Sequence, residues 1–541
     1  MNQYLFYDLR GVQQFIFAIP RLRYIVGGSR LVDRFDRTVV PKLDGEAGAR
    51  YLYSGGGHGA LLCPDDAAAD RVQDRLRLSA REIGADLAIG RSSDFNEAAH
   101  CADRLFSYLP EEDDLDGHPC PASGLYPVET GPAHKVVTRR RFSRGVREER
   151  KYELELLNGS DEDREPKKRL VLPGYPEDER DFFHDVSPDG EAVDPDADDD
   201  TRDVARKAAR ALGSRNRWAV IAMDGNGMGR QFAAHKGLPD DELTTWLENS
   251  SRRLDDATRL ACHDALQEVV NRWADEETVA SARLEDGTVV LPVRPLVVGG
   301  DDLIVLCHVA HAFTFVKAAC ETFATKARAD SDVWAKHYQR PLWPASDGRL
   351  TISAGVLFAP VSLPLSTAIQ YAESLLASAK RRGREIDQTA PPACVDWQSV
   401  TAGVVDHPAA TRQRGWRFDD RDIGEYVSLT RRPYAVSQLD RLQALAAAYG
   451  ELPTSLLHDA YRELRRAYWD RRLWRVRLGK RHSALARDLE EPETWSDGPA
   501  HGRWQRTRVG DRWERHTDVV DALDLVIEAN RMARETAEAR R

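Results

Sequence analysis

The chain has 541 residues, 42% of them hydrophobic and 30% charged, which predicts several domains with real apolar cores and a highly charged surface. The sequence contains no run of eighteen apolar residues, which a membrane span would require. The N-terminus lacks the basic start and cleavage site of a secretory signal. We therefore expect a cytoplasmic protein with no membrane partner. Seven scattered cysteines without a CxxC pair argue against a zinc ribbon and against a disulfide framework.

One order of elements occurs twice along the chain. Residues 3–8 read as a buried strand that ends in Asp8, and residues 218–224 read as another that ends in Asp224. A hairpin follows in both halves, because two apolar runs flank a glycine-rich turn. A helical pattern, a short strand and a further helix come next in each half. The two turns are Ser54 to His58 and Gly299 to Asp302.

Strands with helices on one face indicate an α+β fold. A carboxylate that ends the first strand beside a glycine-rich hairpin is typical of the palm of polymerases and nucleotidyl cyclases. The sequence therefore predicts two ferredoxin-like palm domains and a C-terminal helical domain. The predicted bounds are 1–139 for a degenerate first palm, 140–212 for a charged linker or insertion, 213–405 for a catalytic second palm and 406–541 for the helical domain.

Three aspartates of the second half are the predicted catalytic and metal-binding residues: Asp224, Asp301 and Asp302. Joining nucleotides requires a deprotonated attacking hydroxyl and a neutralised leaving pyrophosphate, and two divalent ions supply both. Carboxylates are the hard oxygen ligands that Mg²⁺ prefers, so we expect two Mg²⁺ or Mn²⁺ ions here. Three carboxylates in one small region repel each other, which is costly unless cations are present.

Residues around these aspartates are predicted to bind the nucleotide. Glycines let the backbone approach a ligand closely. The loop after Asp224 precedes a helix, whose free backbone amides suit phosphate oxygens. A cationic side chain late in the helix 368–384 would reach the triphosphate. Each feature alone also fits a plain structural role: the turn fits an ordinary surface turn, Asp224 fits a helix cap, and Lys380 fits a solvated surface charge. Their order in the chain favours catalysis. The predicted residues are Gly299, Gly300, Gly225, Asn226, Gly227, Lys380 and Arg384.

The first half lacks the metal-binding pair. Gly57 and His58 stand in place of the two aspartates, and its last helix has no lysine. One palm is therefore expected to catalyse, while the other holds a second nucleotide or acts as a scaffold. His58 is either a contact to the nucleotide or a structural side chain.

The C-terminal segment is rich in arginine, although the net charge of −11 does not favour nucleic acid overall. Arginines interleaved with aromatic residues over 461–481 suit RNA backbone contact and base stacking. The same composition suits a subunit interface, or an amphipathic helix whose arginines pair with the acidic segment 160–203. Contact with RNA or a partner protein is predicted for Arg465, Arg466, Arg472 and Arg475.

Six motifs together resemble the large palm-containing subunit of type III CRISPR effector complexes: DLRGVQQFIF, VGGSRL, YSGGGHGALL, MDGNGMGRQF, VVGGDDLIVL and YAESLLASAK. The resemblance implies synthesis of cyclic oligoadenylate from ATP in antiviral defence, with RNA and other effector subunits as partners. It also implies that ATP binds between the palms, with Asp301 and Asp302 holding metal beside Asp224. The residues implied to line a second nucleotide pocket are Gly28, Ser29, Ser54, Gly55, Gly56 and His58.

The sequence departs from this family in three ways. No HD nuclease domain precedes the first palm, no zinc ribbon lies between the palms, and Asn226 stands where many palms carry a second carboxylate. These departures suggest a compact or stand-alone relative. A cyclase with another product, such as a cyclic dinucleotide or a nucleotide conjugate, and a non-catalytic scaffold that binds RNA and proteins remain the alternatives.

Overall fold

The structure is a computed structural model that describes residues 2–16, 22–104, 170–171, 217–235, 238–273, 289–328, 341–346, 348–360, 363–400, 408–490, 500–501 and 503–539. The chain divides into two compact units. One comprises 1–213, 223–352 and 364–366, and the other comprises 214–222, 353–363 and 367–541. Among the described helices, none is long and apolar enough to cross a bilayer.

The first palm is a four-stranded sheet with helices. The elements are β1 (Gln3–Arg10), α1 (Val12–Ile16), α2 (Leu22–Arg34), β2 (Arg50–Gly55), β3 (His58–Cys63), α3 (Asp66–Ile83), β4 (Asp86–Ser92) and α4 (Phe95–Arg104). Its strand order is β2-β3-β1-β4, the order of a ferredoxin-like fold, and β1 pairs antiparallel with both β3 and β4. A short π-helical segment, Phe35–Val39, follows directly after α2.

Helix α3 shows how local sequence sets these bounds. The side chain of Asp65 caps its start by accepting a hydrogen bond from the Ala68 amide, and Gly84 ends it with a left-handed φ of 76°. Val72, Leu76 and Ala80 recur every four residues and are buried. This spacing places them on one helix face, which covers the apolar sheet.

The second palm repeats the plan of the first, with a longer second helix and an added strand after the last helix. Its elements are β5 (Arg217–Gly225), α5 (Met228–Ala234), α6 (Asp240–Trp273), β6 (Val293–Gly299), β7 (Asp302–Cys307), α7 (Ala312–Lys326), β8 (Ile352–Pro360), α8 (Leu365–Ile386) and β9 (Cys394–Ser399). Its six-stranded sheet has the order Tyr434–Ala435, β9, β8, β5, β7, β6. Counted from β6, the last four strands follow the same order as those of the first palm. The predicted α+β fold with paired palms is thus confirmed.

Helix α6 was not part of the predicted plan. It is 34 residues long, packs along α7, and lies against both β6 of the second palm and β2 of the first. Ala257, Ala261 and Ala265 are fully buried along it. Small residues at four-residue spacing allow neighbouring elements to approach this face closely.

The first residue of β5 is anchored by a buried ion pair. The guanidinium of Arg217 pairs with Glu528 and donates hydrogen bonds to the carbonyls of Val400 and Phe358. Glu528 also accepts a hydrogen bond from the Ser399 hydroxyl at 2.7 Å. Buried charges require such partners, so these contacts fix the start of β5 within its unit.

The C-terminal region contains the predicted helices and a five-stranded sheet that the sequence did not indicate. The sheet strands carry mixed charge, as in WQRTRV and RWERHT, without clean apolar alternation. The helices are Pro408–Trp416, Leu439–Tyr449, Thr454–Glu463, Tyr468–Gly479, Ser483–Asp488 and Val519–Ala539. The sheet order is Arg417–Asp420, Glu425–Ser428, Arg512–Thr517, Trp504–Val509, Ala500–His501.

The cysteines within the described residues are all free thiols. The predicted linker 140–212 lies outside the described residues, apart from the short strand Leu170–Val171, which pairs with Val289–Val290. The predicted domain bounds stay predictions.

Candidate active site

The structure brings the three predicted aspartates together. Asp224 is the penultimate residue of β5, Asp301 lies in the turn after β6, and Asp302 is the first residue of β7. One carboxylate oxygen from each lies within 4.8 Å of the others. Asp224 and Asp301 are half-buried, whereas Asp302 is exposed. Within the described parts of the chain, no other group of three acidic, histidine or cysteine side chains is arranged in this way.

The turn that carries Asp301 is a tight two-residue hairpin. Strands β6 and β7 pair antiparallel with Gly299 opposite Asp302, which leaves Gly300 and Asp301 as the turn residues. Gly300 has a φ of 59°, while Asp301 does not have a positive φ. A glycine with positive φ at the first turn position is typical of a type II′ hairpin. The apolar strands on either side thereby hold the carboxylate of Asp301 at the sheet edge.

Gly225 allows β5 to approach this turn. A Cβ at position 225 would lie 2.6 Å from Oδ2 of Asp301 and 3.0 Å from its Cβ. Real Cβ atoms do not come so close to other heavy atoms, so a side chain at this position would displace Asp301. The constraint at Gly225 comes from close packing and not from backbone conformation, since its φ is not positive.

The loop after Gly225 is held by Thr351. The Asn226 amide donates a hydrogen bond to the Thr351 carbonyl and its side-chain Nδ2 donates to Thr351 Oγ1, both at 2.8 Å. Asn226 is buried, so these contacts give it a role in fixing the loop. Gly227 then starts α5 with a φ of 80°. The predicted nucleotide contacts of Gly225, Asn226 and Gly227 stay predictions.

The hairpin of the first palm has a different turn. Gly55 lies opposite His58, and the turn residues Gly56 and Gly57 have φ values of 65° and 88°. Two successive positive values are typical of a type I′ turn. The Ser54 hydroxyl is engaged with the Tyr51 hydroxyl at 2.9 Å and with the Asp36 carbonyl.

Asp36 fixes this first-palm turn, and sequence reasoning missed it. Its carboxylate accepts hydrogen bonds from the Gly57 amide at 2.7 Å and from the Tyr7 hydroxyl at 2.8 Å. Burial raises the pKa of Asp36 to about 7, and the hydrogen bonds from Gly57 and Tyr7 oppose this rise. A lone aspartate in a charged stretch gives no sequence signal of burial, so only the fold reveals this role.

The two glycine turns lie in contact with each other. A Cβ at Gly55 would lie 3.6 Å from the Cα of Gly300, and a Cβ at Gly299 would lie 3.8 Å from the Gly56 amide nitrogen. Gly28 and Ser29 are buried within α2, a helix that packs against β6. The second-pocket residues implied by resemblance thus lie on elements around these turns, and their contact with a nucleotide stays a prediction.

The remaining predicted residues have the following positions. Lys380 is half-buried and Arg384 is exposed, both late in α8, and their predicted contact with the triphosphate stays a prediction.

His58 lies opposite Asp8 in the register of β1 and β3. The carboxylate of Asp8 pairs with Arg10 at 3.1 Å, so a cation of the protein already neutralises the aspartate that corresponds to Asp224.

The carboxylates of the second palm fit a divalent cation. They offer hard oxygen ligands at short mutual distances, and their partial exposure leaves room for water ligands, as Mg²⁺ prefers. Their mutual repulsion would be relieved by a bound cation. The side chain of Asn226, at the position of a second carboxylate in many palms, is buried against Thr351. The site therefore fits one ion on these three residues, and the second predicted ion stays a prediction.

The region of the predicted contact arginines forms two short helices rather than one long helix, because the chain bends between Glu463 and Tyr468. Arg465 and Arg466 are exposed at this bend, and Arg466 pairs with Glu463 at 3.1 Å. Arg475 pairs with Glu490. The guanidinium of Arg472 lies over the exposed ring of Trp469. Their contact with RNA or a partner stays a prediction.

Comparison with known proteins supports a palm of one family. Residues 217–388 match the family described as Cas10/Cmr2, second palm domain. No curated protein matches the chain in sequence. Both β5 with Asp224 and the turn with Asp301 and Asp302 lie within the matched range.

Two solved structures share the fold. A Csm1–Csm4 cassette in complex with cA4 has 13% identity and a TM-score of 0.50, with 98% of this chain and 70% of that chain covered. Csm1 in T. onnurineus has 15% identity and the same TM-score, with 98% and 69% covered. At these identities the likeness shows the fold alone, and the match to the Cas10/Cmr2 second palm domain identifies residues 217–388 as a palm domain of that kind.

Proposed function

We propose that this chain is a metal-dependent nucleotidyltransferase that makes cyclic oligoadenylate from ATP in type III CRISPR-like antiviral defence. The observation that carries the proposal is the convergence of Asp224, Asp301 and Asp302 on one point of the second palm. A scaffold has no need to hold three mutually repelling carboxylates so close together. The match of this region to the Cas10/Cmr2 second palm adds support.

The protein's part in the reaction is to hold the cation and to orient the nucleotide. Asp224 and Asp301, both half-buried, would hold the cation, and exposed Asp302 would act from the edge of the site. Divalent cations, when bound, supply activation of the attacking hydroxyl and neutralisation of the leaving pyrophosphate. The glycines of the turn leave the backbone open to a close approach by the nucleotide. Positioning of this kind supplies much of the rate enhancement in phosphoryl transfer.

ATP, RNA and protein partners belong to the same proposal. A structure that shares this fold was solved as a Csm1–Csm4 cassette with cA4. By analogy we propose ATP as substrate, effector-complex subunits as partners, and contact with RNA or a partner at Arg465, Arg466, Arg472 and Arg475. A location in the cytoplasm is the expected setting for this activity.

The test is incubation of the purified chain with each ribonucleoside triphosphate and Mg²⁺ or Mn²⁺, with products identified by mass spectrometry. The variant with Asp301→Ala and Asp302→Ala is the negative control, and its circular dichroism should match that of the unchanged chain. Asp8→Ala removes the corresponding aspartate of the first palm and should leave Mn²⁺ binding in place. The assay should be run alone and with a candidate effector complex and target RNA.

Each outcome decides between functions. Cyclic oligoadenylate from the unchanged chain, and none from the double variant, would establish the proposal. A different cyclic nucleotide would retain the active site but reject oligoadenylate as the product. Nucleotide binding that survives chelation of metal, without turnover under any condition, would favour the scaffold.

A further inference from the structure

Helix α6 contacts one strand of the glycine-turn hairpin in each palm. It lies against β2, which leads into the first-palm turn, and against β6, which leads into the turn with Asp301. Two residues one helical turn apart on α6, Asp255 and Thr258, make polar contacts in these two directions. The sequence did not predict this helix.

Thr258 holds the turn that carries Asp301. Its hydroxyl donates a hydrogen bond of 2.6 Å to the carbonyl of Gly300. This carbonyl belongs to the peptide group that joins Gly300 to Asp301, and a peptide group is planar. Fixing the carbonyl therefore fixes the plane from which Asp301 projects. Thr258 is fully buried and Gly300 is half-buried, so losing the hydroxyl leaves the Gly300 carbonyl without this protein donor.

Asp255 ties the same helix to the first palm. Its carboxylate pairs with Arg37, whose guanidinium also pairs with Asp33 at 2.7 Å. Arg37 follows Asp36 in the π-helical segment, and Asp36 accepts the hydrogen bond from the Gly57 amide. Adjacent residues of one segment thus hold the first-palm turn and bind α6.

We propose that Thr258 is a positioning residue for the metal-binding turn, and that α6 braces the two glycine turns against each other through Thr258 and Asp255. This inference rests on the proposed function and names a residue that acts on Asp301 through the Gly300 peptide. Thr258 touches neither the substrate nor the cation. Thr258 acts on the orientation of the Asp301 carboxylate, so we expect its loss to lower the rate of the chemical step, measured as kcat.

The experiment compares three substitutions on α6. Thr258→Val removes the hydroxyl at nearly constant volume, and Thr258→Ser keeps the hydroxyl. Thr245→Val is the matched control, since the Thr245 hydroxyl donates only within its own helix, to the Asp241 carbonyl at 2.8 Å. Product formation gives kcat and the KM for ATP. Amide hydrogen exchange of peptides covering 299–303 reports on the turn whether or not product forms.

We expect Thr258→Val to lower kcat about threefold to tenfold, as the loss of one hydrogen bond implies, with the KM for ATP nearly unchanged. Exchange of the 299–303 amides should quicken in this variant. Thr258→Ser and Thr245→Val should resemble the unchanged chain in both measurements. If Thr258→Val leaves kcat and exchange unchanged, or if Thr258→Ser is equally impaired, the positioning role is overturned.

The same measurements separate this inference from the proposed function. A chain that makes no product under any condition rejects the proposed function, and hydrogen exchange at 299–303 then decides on Thr258 by itself. The brace is tested by adding Arg37→Gln to Thr258→Val. Shared bracing predicts a combined effect on exchange smaller than the sum of the single effects in free energy. Full additivity overturns the brace.

Discussion

Gly225 and Asp301 lie so close that a Cβ at position 225 would come within 2.6 Å of the Asp301 carboxylate. The end of β5 and the turn after β6 therefore meet without an intervening side chain. Asp224 directly precedes this glycine, so the same contact sets the distance between the two half-buried carboxylates.

The first prediction is that Gly225→Ala lowers the affinity for Mn²⁺ about tenfold or more, the range found when a group that orients a metal ligand is changed. The added methyl would displace Asp301, and product formation should fall with it. Isothermal titration with Mn²⁺ measures the affinity. Gly229→Ala is the control, because a Cβ there meets no atom within 4 Å. Equal affinities in the two variants would contradict the prediction.

The second prediction compares the two glycines before Asp301. Gly300 has a φ of 59°, so Gly300→Ala should lower the free energy of unfolding by about 1–2 kcal/mol. Gly299→Ala should change it by less than about 0.5 kcal/mol, because its Cβ would make only an ordinary contact, at 3.8 Å. Urea unfolding measures both. Similar losses for the two variants would show that the turn does not depend on the conformation of Gly300.

The third prediction concerns the pH dependence of stability. Burial raises the pKa of Asp36 to about 7, from an ordinary value of 3.8. Between these values the unfolded chain releases the proton while the folded chain keeps it, so this residue makes the protein less stable as the pH rises from about 4 to about 7. The charged and titratable groups that affect it are Tyr7, Asp33, Arg37 and Tyr51.

Asp36→Asn removes this titration. We expect the difference in unfolding free energy between the unchanged chain and Asp36→Asn to shift by about 2–4 kcal/mol across that range, in favour of the variant at higher pH. Urea unfolding at a series of pH values provides the measurement. Parallel curves for the two proteins would show that Asp36 ionises at its ordinary pH.

The fourth prediction tests the anchor at the start of β5. Arg217→Met would leave Glu528 buried without its guanidinium, and we expect a loss of about 3–5 kcal/mol in the free energy of unfolding. Arg272→Met breaks the exposed pair of Arg272 with Glu268, and should cost less than about 0.5 kcal/mol. Chemical unfolding followed by tryptophan fluorescence distinguishes the two. A small loss for Arg217→Met would mean that Glu528 finds another partner or takes up a proton.

The elements that carry the aspartates were predictable because their signals are local. Apolar runs on both sides of a glycine-rich turn indicate a hairpin, and the repeat of this pattern indicates paired palms. The C-terminal sheet was missed for the corresponding reason. Its strands, such as Arg512–Thr517, are rich in charge because their arginines pair with acids of neighbouring elements, as Arg515 does with Glu425. Such pairs remove the apolar alternation on which strand prediction depends.

The sequence by itself determined the order of elements in both palms and the three aspartates, because turn conformation and apolar alternation depend on adjacent residues. Only the tertiary structure decided that Asp36 holds Gly57, 21 residues away, and that Thr258 holds Gly300, 42 residues away. It likewise decided that Gly225 contacts Asp301. A buried hydrogen bond between distant residues leaves no periodic trace in the sequence, since its partners are set by how the sheets and helices come together.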